Sequence, residues 1–198
     1  MRVCTVGILA GAALAMACQA GPDIVGGPGG GSPLVPAQVV ESASGGYHFT
    51  TEPSFFGVPV ENRVTFSAAR HADGTLGGRF NYEQGVEGER FIFRGSVTCF
   101  QIYDTPVLQD WPDIPAMTAN RAKWGGLIEY SNDPTLPAGG FIWFQSIDNG
   151  EGAKAPPDLS TISGFGDEAA NEAFCASPNV PNPLFGPHPV KGNIQVRP

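Results

Sequence analysis

Positively charged side chains are scarce in this sequence, which has 11 Lys and Arg against 19 Asp and Glu and a formal net charge of −8. Nucleic-acid backbones are bound by clustered Lys and Arg side chains that neutralise phosphates. The sequence contains no such cluster, and its excess of acidic groups repels phosphate. We therefore expect no nucleic acid among the partners.

Motifs of the common enzyme classes are also missing, because there is no GxSxG, no HExxH and no glycine-rich phosphate loop. Three histidines occur, His48, His71 and His188, and they are isolated from one another. No local spacing therefore supports a zinc site. Glu83, Glu87 and Glu89 have the chemistry of glycosidase carboxylates, but only their separation in space decides such a role.

Long apolar runs are absent near the N-terminus as well. The run from Val3 to Leu14 is shorter than the ~20 residues that a membrane-spanning helix needs. It follows the single positive charge of Arg2 and precedes small residues. This order is typical of a secretory signal peptide, which we predict over residues 1–17.

Cys18 stands directly after Ala15-Met16-Ala17. These residues fit a signal-peptidase site and also resemble a bacterial lipobox, although Leu14 lies four residues before the cysteine rather than three. Residues 18–33 are rich in Gly and Pro and are predicted to form a flexible tether. The tether favours lipidation of Cys18, which would anchor the chain to a membrane as its partner and place it in the bacterial cell envelope. Secretion without lipid is the alternative.

Cysteine is rare, with four residues in the chain. Cys4 falls in the predicted leader and Cys18 at its end, so the domain over residues 34–198 keeps Cys99 and Cys175. In an oxidising compartment we predict that these two form a disulfide. A metal-binding or nucleophilic cysteine is the alternative, but neither residue lies in a CxxC motif or near a histidine in sequence.

Alternating apolar and polar residues between turn signals predict an all-β domain over residues 34–198. The predicted strands are 47–51, 62–71, 75–84, 89–103, 123–131, 139–148, 158–166 and 192–197. One short helix is predicted over residues 167–174, where acids occupy the first turn. About eight or nine antiparallel strands form either a barrel or a sandwich, and their order as successive hairpins favours a barrel-like domain.

Five segments resemble a family of uncharacterised exported bacterial β-domain proteins: "GGYHFTT", "FSAARHADGTLGG", "GSVTC", "DNGEGAKAPPD" and "GNIQVR". The resemblance spans Gly45 to Arg197 and implies an exported β-domain with no activity that can be named. The chain departs from the family pattern in the segment "LQDWPDIPAMTANR" and in "PPDLSTISGFG".

The segment "SIDNGEGAKAPPD" contains an Asn-Gly pair, a strong turn signal because both residues tolerate positive φ. It also contains the oxygen-bearing side chains of Asp148, Asn149, Glu151 and Asp158, which are ligands that Ca²⁺ accepts. The spacing is not that of an EF-hand loop. A turn is the favoured interpretation and a calcium site the alternative; no other cofactor is expected.

Trp111 lies in a Pro-rich insertion, flanked by Tyr103 and Trp124. Exposed aromatic rings on a rigid scaffold stack on sugars or anchor a partner protein, so these three residues are candidates for ligand binding. The alternative is an ordinary core position for Trp124, which is the favoured interpretation there, and packing of Trp111 against its own loop. The first function hypothesis is therefore a binding or adhesion module for a protein or glycan. A structural envelope protein ranks second and a secreted hydrolase third.

Overall fold

The computed structural model describes residues 37–51, 57–103, 120–152, 154–177 and 188–198. Its elements are β1 (Val39–Thr51), β2 (Val60–His71), β3 (Leu76–Val86), β4 (Glu89–Tyr103), β5 (Asn120–Ser131), β6 (Phe141–Asp148), β7 (Leu159–Gly166), α1 (Glu168–Ala176), β8 (His188–Pro189) and β9 (Lys191–Arg197). The predicted all-β class is confirmed. The first strand begins at Val39 rather than Tyr47, and β8 was not predicted.

All nine strands form one antiparallel sheet in the order β8-β7-β6-β5-β4-β3-β2-β1-β9. Strands β1 to β8 pair with their neighbours in sequence, whereas β9 returns to pair with β1. The sheet curls until β9 also contacts β5 and β6. The result is a nearly closed barrel, so the barrel alternative was the right one and the sandwich was wrong.

Aromatic rings fill the barrel interior. In β2, for example, Val64 and Phe66 are buried while the neighbouring Arg63 and Thr65 are exposed, as alternation predicts for a half-buried strand. The indole of Trp124 lies between Phe66 and Phe144, with ring centroids 4.5 and 4.4 Å away. Since these rings stack at near-parallel angles of 9° and 14°, the centre of the barrel is packed.

The strand β4 bends at Gly95, since a glycine in mid-strand favours a bulge or a bend. The register against β5 shifts between Arg94 and Gly95, and a Cβ on Gly95 would lie 1.8 Å from the carbonyl oxygen of Leu127. A second shift lies between Val97 and Cys99. Val97 packs in the main core, whereas Cys99 belongs to a smaller cluster on the outer face of the sheet.

The helix α1 covers that outer face. Its N-cap is Asp167, whose carboxylate accepts a hydrogen bond from the backbone N–H of Ala170. Phe174 and Cys175 of the helix pack with Cys99, Phe141, Trp143 and Leu127. The predicted disulfide between Cys99 and Cys175 is confirmed, with their Cα atoms 6.0 Å apart. Across the described ranges, no helix is long and apolar enough to span a membrane.

Candidate functional site

The acidic segment after β6 lies at the seam where the barrel closes. Here β9 faces the ends of β6 and β7, and among the described strands only β1, on its other side, pairs with it. The carboxylate of Asp158 accepts from the N–H of Ile194 at 2.7 Å, and that of Asp148 from the N–H of Val196 at 3.0 Å. Two aspartates thus take the place of a neighbouring strand and satisfy a sheet edge that would otherwise be open.

The same carboxylates also shape the turn. Asp148 accepts from the N–H of Gly150 at 2.8 Å, and Asp158 accepts from the N–H of Asn149 at 2.9 Å. Gly150 has a φ of 87°, so it adopts the positive φ that the Asn-Gly signal predicted, whereas Asn149 does not. Burial raises the pKa of the Asp158 carboxyl, and the N–H donors of Asn149 and Ile194 oppose that shift.

Glu151 completes the seam by accepting from the amides of Gln195 at 3.0 Å and Asn193 at 3.5 Å. The structure therefore brings Asp148, Glu151 and Asp158 to one edge, where N–H donors of the chain occupy their oxygens. Within the described ranges, no group of three or more His, Cys, Asp or Glu side chains is arranged to hold a metal. Calcium binding by this segment stays a prediction.

Replacing Asp158 by alanine is expected to lower the free energy of unfolding by about 2 kcal/mol, because two backbone N–H groups lose their acceptor. Asp158→Asn keeps one acceptor oxygen and should lose about half as much. Urea unfolding measures both variants. Equal stability of wild type and Asp158→Ala would show that the seam does not depend on this carboxylate. Melts in EDTA and then in calcium test the calcium prediction, since bound calcium raises the midpoint.

The prediction that Trp124 binds a ligand is wrong. Its side chain is fully buried, both faces of the ring are covered, and its Nε1–H donates to Ser146 Oγ at 3.0 Å. The favoured alternative, an ordinary core position, is the right one, because the strand alternation puts this residue inward and the flanking insertion does not change that. Tyr103 is the last residue of β4. Trp111, like Cys18 and the predicted leader and tether, lies outside the described residues.

A site that sequence reasoning missed lies on the outer face of β9, β1 and β2. His48 of β1 pairs directly with Arg63 of β2 on one side and with Lys191 of β9 on the other. All three side chains are exposed, and with Gly46 and Gly192 they border a shallow groove of about 640 Å³. The three are far apart in sequence, and only the pairing of β9 with β1 brings them together.

A second groove of about 550 Å³ adjoins the first and shares Arg63 with it. It brings together Glu83, Glu87 and Glu89, as a pair of glycosidase carboxylates requires. However, Glu83 is paired with Arg90, and Glu87 and Glu89 are exposed at the β3–β4 hairpin. A general acid is normally a buried carboxyl, so the groove offers little to support hydrolysis.

The fold and these surfaces define a small antiparallel barrel with a packed interior, one outer face covered by a disulfide-linked helix and another left open. Comparison with protein-family models, with curated proteins and with solved structures gave no match. The resemblance to exported bacterial β-domain proteins accordingly stays a prediction.

Proposed function

We propose that this chain is a non-catalytic binding module of the bacterial cell envelope. It is exported through residues 1–17 and held at the membrane by lipid on Cys18, and the tether over residues 18–33 keeps the β-domain clear of the surface. The composition of the N-terminal residues supports this location, as does the disulfide, which is typical of an oxidising compartment.

The binding role is supported by one observation, the location of the space that the domain leaves for a ligand. Barrels that enclose a ligand keep a cavity inside. Here Trp124, Phe66 and Phe144 fill the interior, and α1 covers the outer side of β4 to β7. The open groove beside His48, Arg63 and Lys191 is therefore the surface that supports ligand binding best.

Filling this groove is expected to abolish binding without unfolding the domain. Gly46 lies on the groove floor with no atom within 4 Å of an added Cβ, so Gly46→Trp should fold and occupy the space. The matched control is Ala138→Trp, at an exposed position in the β5–β6 connection. Biolayer interferometry against immobilised envelope polysaccharides and proteins should show at least a ~10-fold loss of affinity for Gly46→Trp alone.

The same ligands should be recovered unchanged after incubation, because the module binds and does not transform them. Two results would contradict the proposal: wild-type chain that binds nothing in the screen, or Gly46→Trp that binds as well as Ala138→Trp. Release of cleaved products would instead favour the hydrolase.

A further inference from the structure

The two cationic side chains of the open groove, Arg63 and Lys191, lie on either side of His48 in one continuous row. Arg63, His48 and Lys191 sit opposite one another on three neighbouring strands, so the row runs at right angles to the strands. Because neighbouring strands are about 4.8 Å apart, the row spans about 10 Å. An anionic group that lies over His48, in the middle of the row, is therefore within reach of the long side chains of Arg63 and Lys191.

Arg63 and Lys191 each lie opposite His48, and Arg63 lies opposite Glu83 on its other side. Elsewhere on the described surface Arg70, Arg79 and Arg90 each lie within ion-pair distance of a glutamate. No carboxylate of the described residues comes that close to Arg63, His48 or Lys191. The positive charges of Arg63 and Lys191 are available to a ligand.

The floor of the groove lets a ligand approach closely. Gly46 and Gly192 carry no side chain and lie beside the row, with the exposed Thr65 at the edge. A ligand group placed there reaches cationic side chains, a hydroxyl and main-chain atoms together. Hydrogen bonds between charged and polar groups of this kind are shorter and stronger than those between neutral groups.

Acidic side chains next to the row limit which anions fit. Glu61, Glu83, Glu87 and Glu89 line the adjoining groove, which meets the row at Arg63, and the whole chain carries a net charge of −8. A densely charged polyanion or an anionic membrane surface would meet these carboxylates and be repelled. A ligand with single anionic groups spaced along a neutral scaffold avoids them.

We infer that the groove beside Arg63, His48 and Lys191 binds a single anionic group, a carboxylate, sulfate or phosphate, carried by a sparsely charged acidic polysaccharide. This inference rests on the proposed binding function and names its ligand class. The anionic group lies over Gly46 and Gly192, while the neutral sugars extend past Thr65 along the open sheet face.

Thermal melts of the purified full-length chain test this ligand class, because a ligand that binds the folded state raises the midpoint. The probes are oligogalacturonate with one carboxylate per several methyl-esterified sugars, its fully esterified neutral counterpart, and inorganic phosphate and sulfate. At about 100 times the Kd, the sparsely charged oligomer should raise the midpoint by about 5–10 °C. The neutral oligomer should leave it unchanged.

The test variant is Arg63→Gln/Lys191→Gln, and the control is Arg79→Gln/Lys154→Gln, which removes the same charge from exposed positions outside the groove. Only the first should lose the oligomer-induced shift, and its own midpoint without ligand should stay close to that of wild type, because both replaced side chains are exposed. A shift by phosphate or sulfate that the same variant abolishes supports the anion site and identifies the group it accepts.

Three outcomes would overturn the inference. The first is a midpoint shift that is equal in both double variants, or a midpoint shift produced by the neutral oligomer. In either case the binding function would stand, but with another class of ligand. The second is no shift with any probe. The third is binding to vesicles of anionic phospholipid without binding to the oligomer. The binding screen with Gly46→Trp tests the binding function itself. Failure of the binding function is therefore distinguishable from failure of the proposed ligand class.

Discussion

Replacing Trp124 by alanine should lower the free energy of unfolding by about 3–5 kcal/mol, the range for deleting a large aromatic side chain from a packed core. The indole is fully buried between the rings of Phe66 and Phe144 and contacts Phe80 at a centroid distance of 6.1 Å. Its removal leaves a cavity among three aromatic rings and deprives Ser146 of a donor. Equilibrium unfolding in urea measures the loss.

A conservative variant separates packing from hydrogen bonding at the same position. Trp124→Phe keeps a ring between Phe66 and Phe144 but loses the hydrogen bond from Nε1 to Ser146, so it should cost about 1–2 kcal/mol. If Trp124→Ala were no worse than Trp124→Phe, stacking in the barrel centre would not hold the fold together. A folded, stable Trp124→Ala would also reopen the interior as a place for a ligand.

Removing the disulfide between Cys99 and Cys175 should cost about 4 kcal/mol. The two residues are 76 positions apart, and the chain-entropy model gives about 4.5 kcal/mol for a loop of that length. The bridge also fixes α1 against the outer face of β4, where it covers the cluster of Trp143, Phe141 and Phe174. Its loss should therefore expose Trp143 and shift its fluorescence.

The single variants Cys99→Ala and Cys175→Ala and the double variant test this expectation together. Breaking the bond once is enough, so all three should lose nearly the same stability. A double variant that loses the sum of two large single effects would contradict the prediction, because the cysteines would then be contributing as separate core side chains. Reduction of the wild-type chain should reproduce the double variant.

The local features of the strands followed from the sequence. The hairpin at Asp73 and Gly74 forms where the sequence has turn residues: Gly74 has a φ of 83°, and Asp73 accepts from the N–H of Thr75 at 2.9 Å. The alternation of β2 and the bend at Gly95 also follow from the local sequence. Each depends on residues close together in the chain, whose backbone preferences act locally.

The start of β1 was missed for a physical reason. Residues 39–46 are mostly small or polar, with two glycines, and their alternation is too weak to indicate a strand. They are held in the sheet because β2 pairs along this stretch and β9 along part of it. A central position in a sheet overrides a poor intrinsic preference for the extended conformation.

The carboxylates of Asp148, Glu151 and Asp158 show that contacts distant in the sequence could not be predicted at the candidate sites either. The sequence placed them in one loop and pointed to a turn or a cation, because only those partners are visible within the segment. Their actual contacts are with Ile194, Val196, Asn193 and Gln195 of β9, more than 35 residues away.

By itself the sequence determined the all-β class, the bounds of most strands, the short helix and the disulfide, because periodicity, turn residues and cysteine number are local or compositional. Only the tertiary structure decided that the sheet closes as a barrel, that Trp124 is in its centre, and that His48, Arg63 and Lys191 form one row. These depend on the return of β9 to pair with β1, a long-range contact whose register no single segment of the chain encodes.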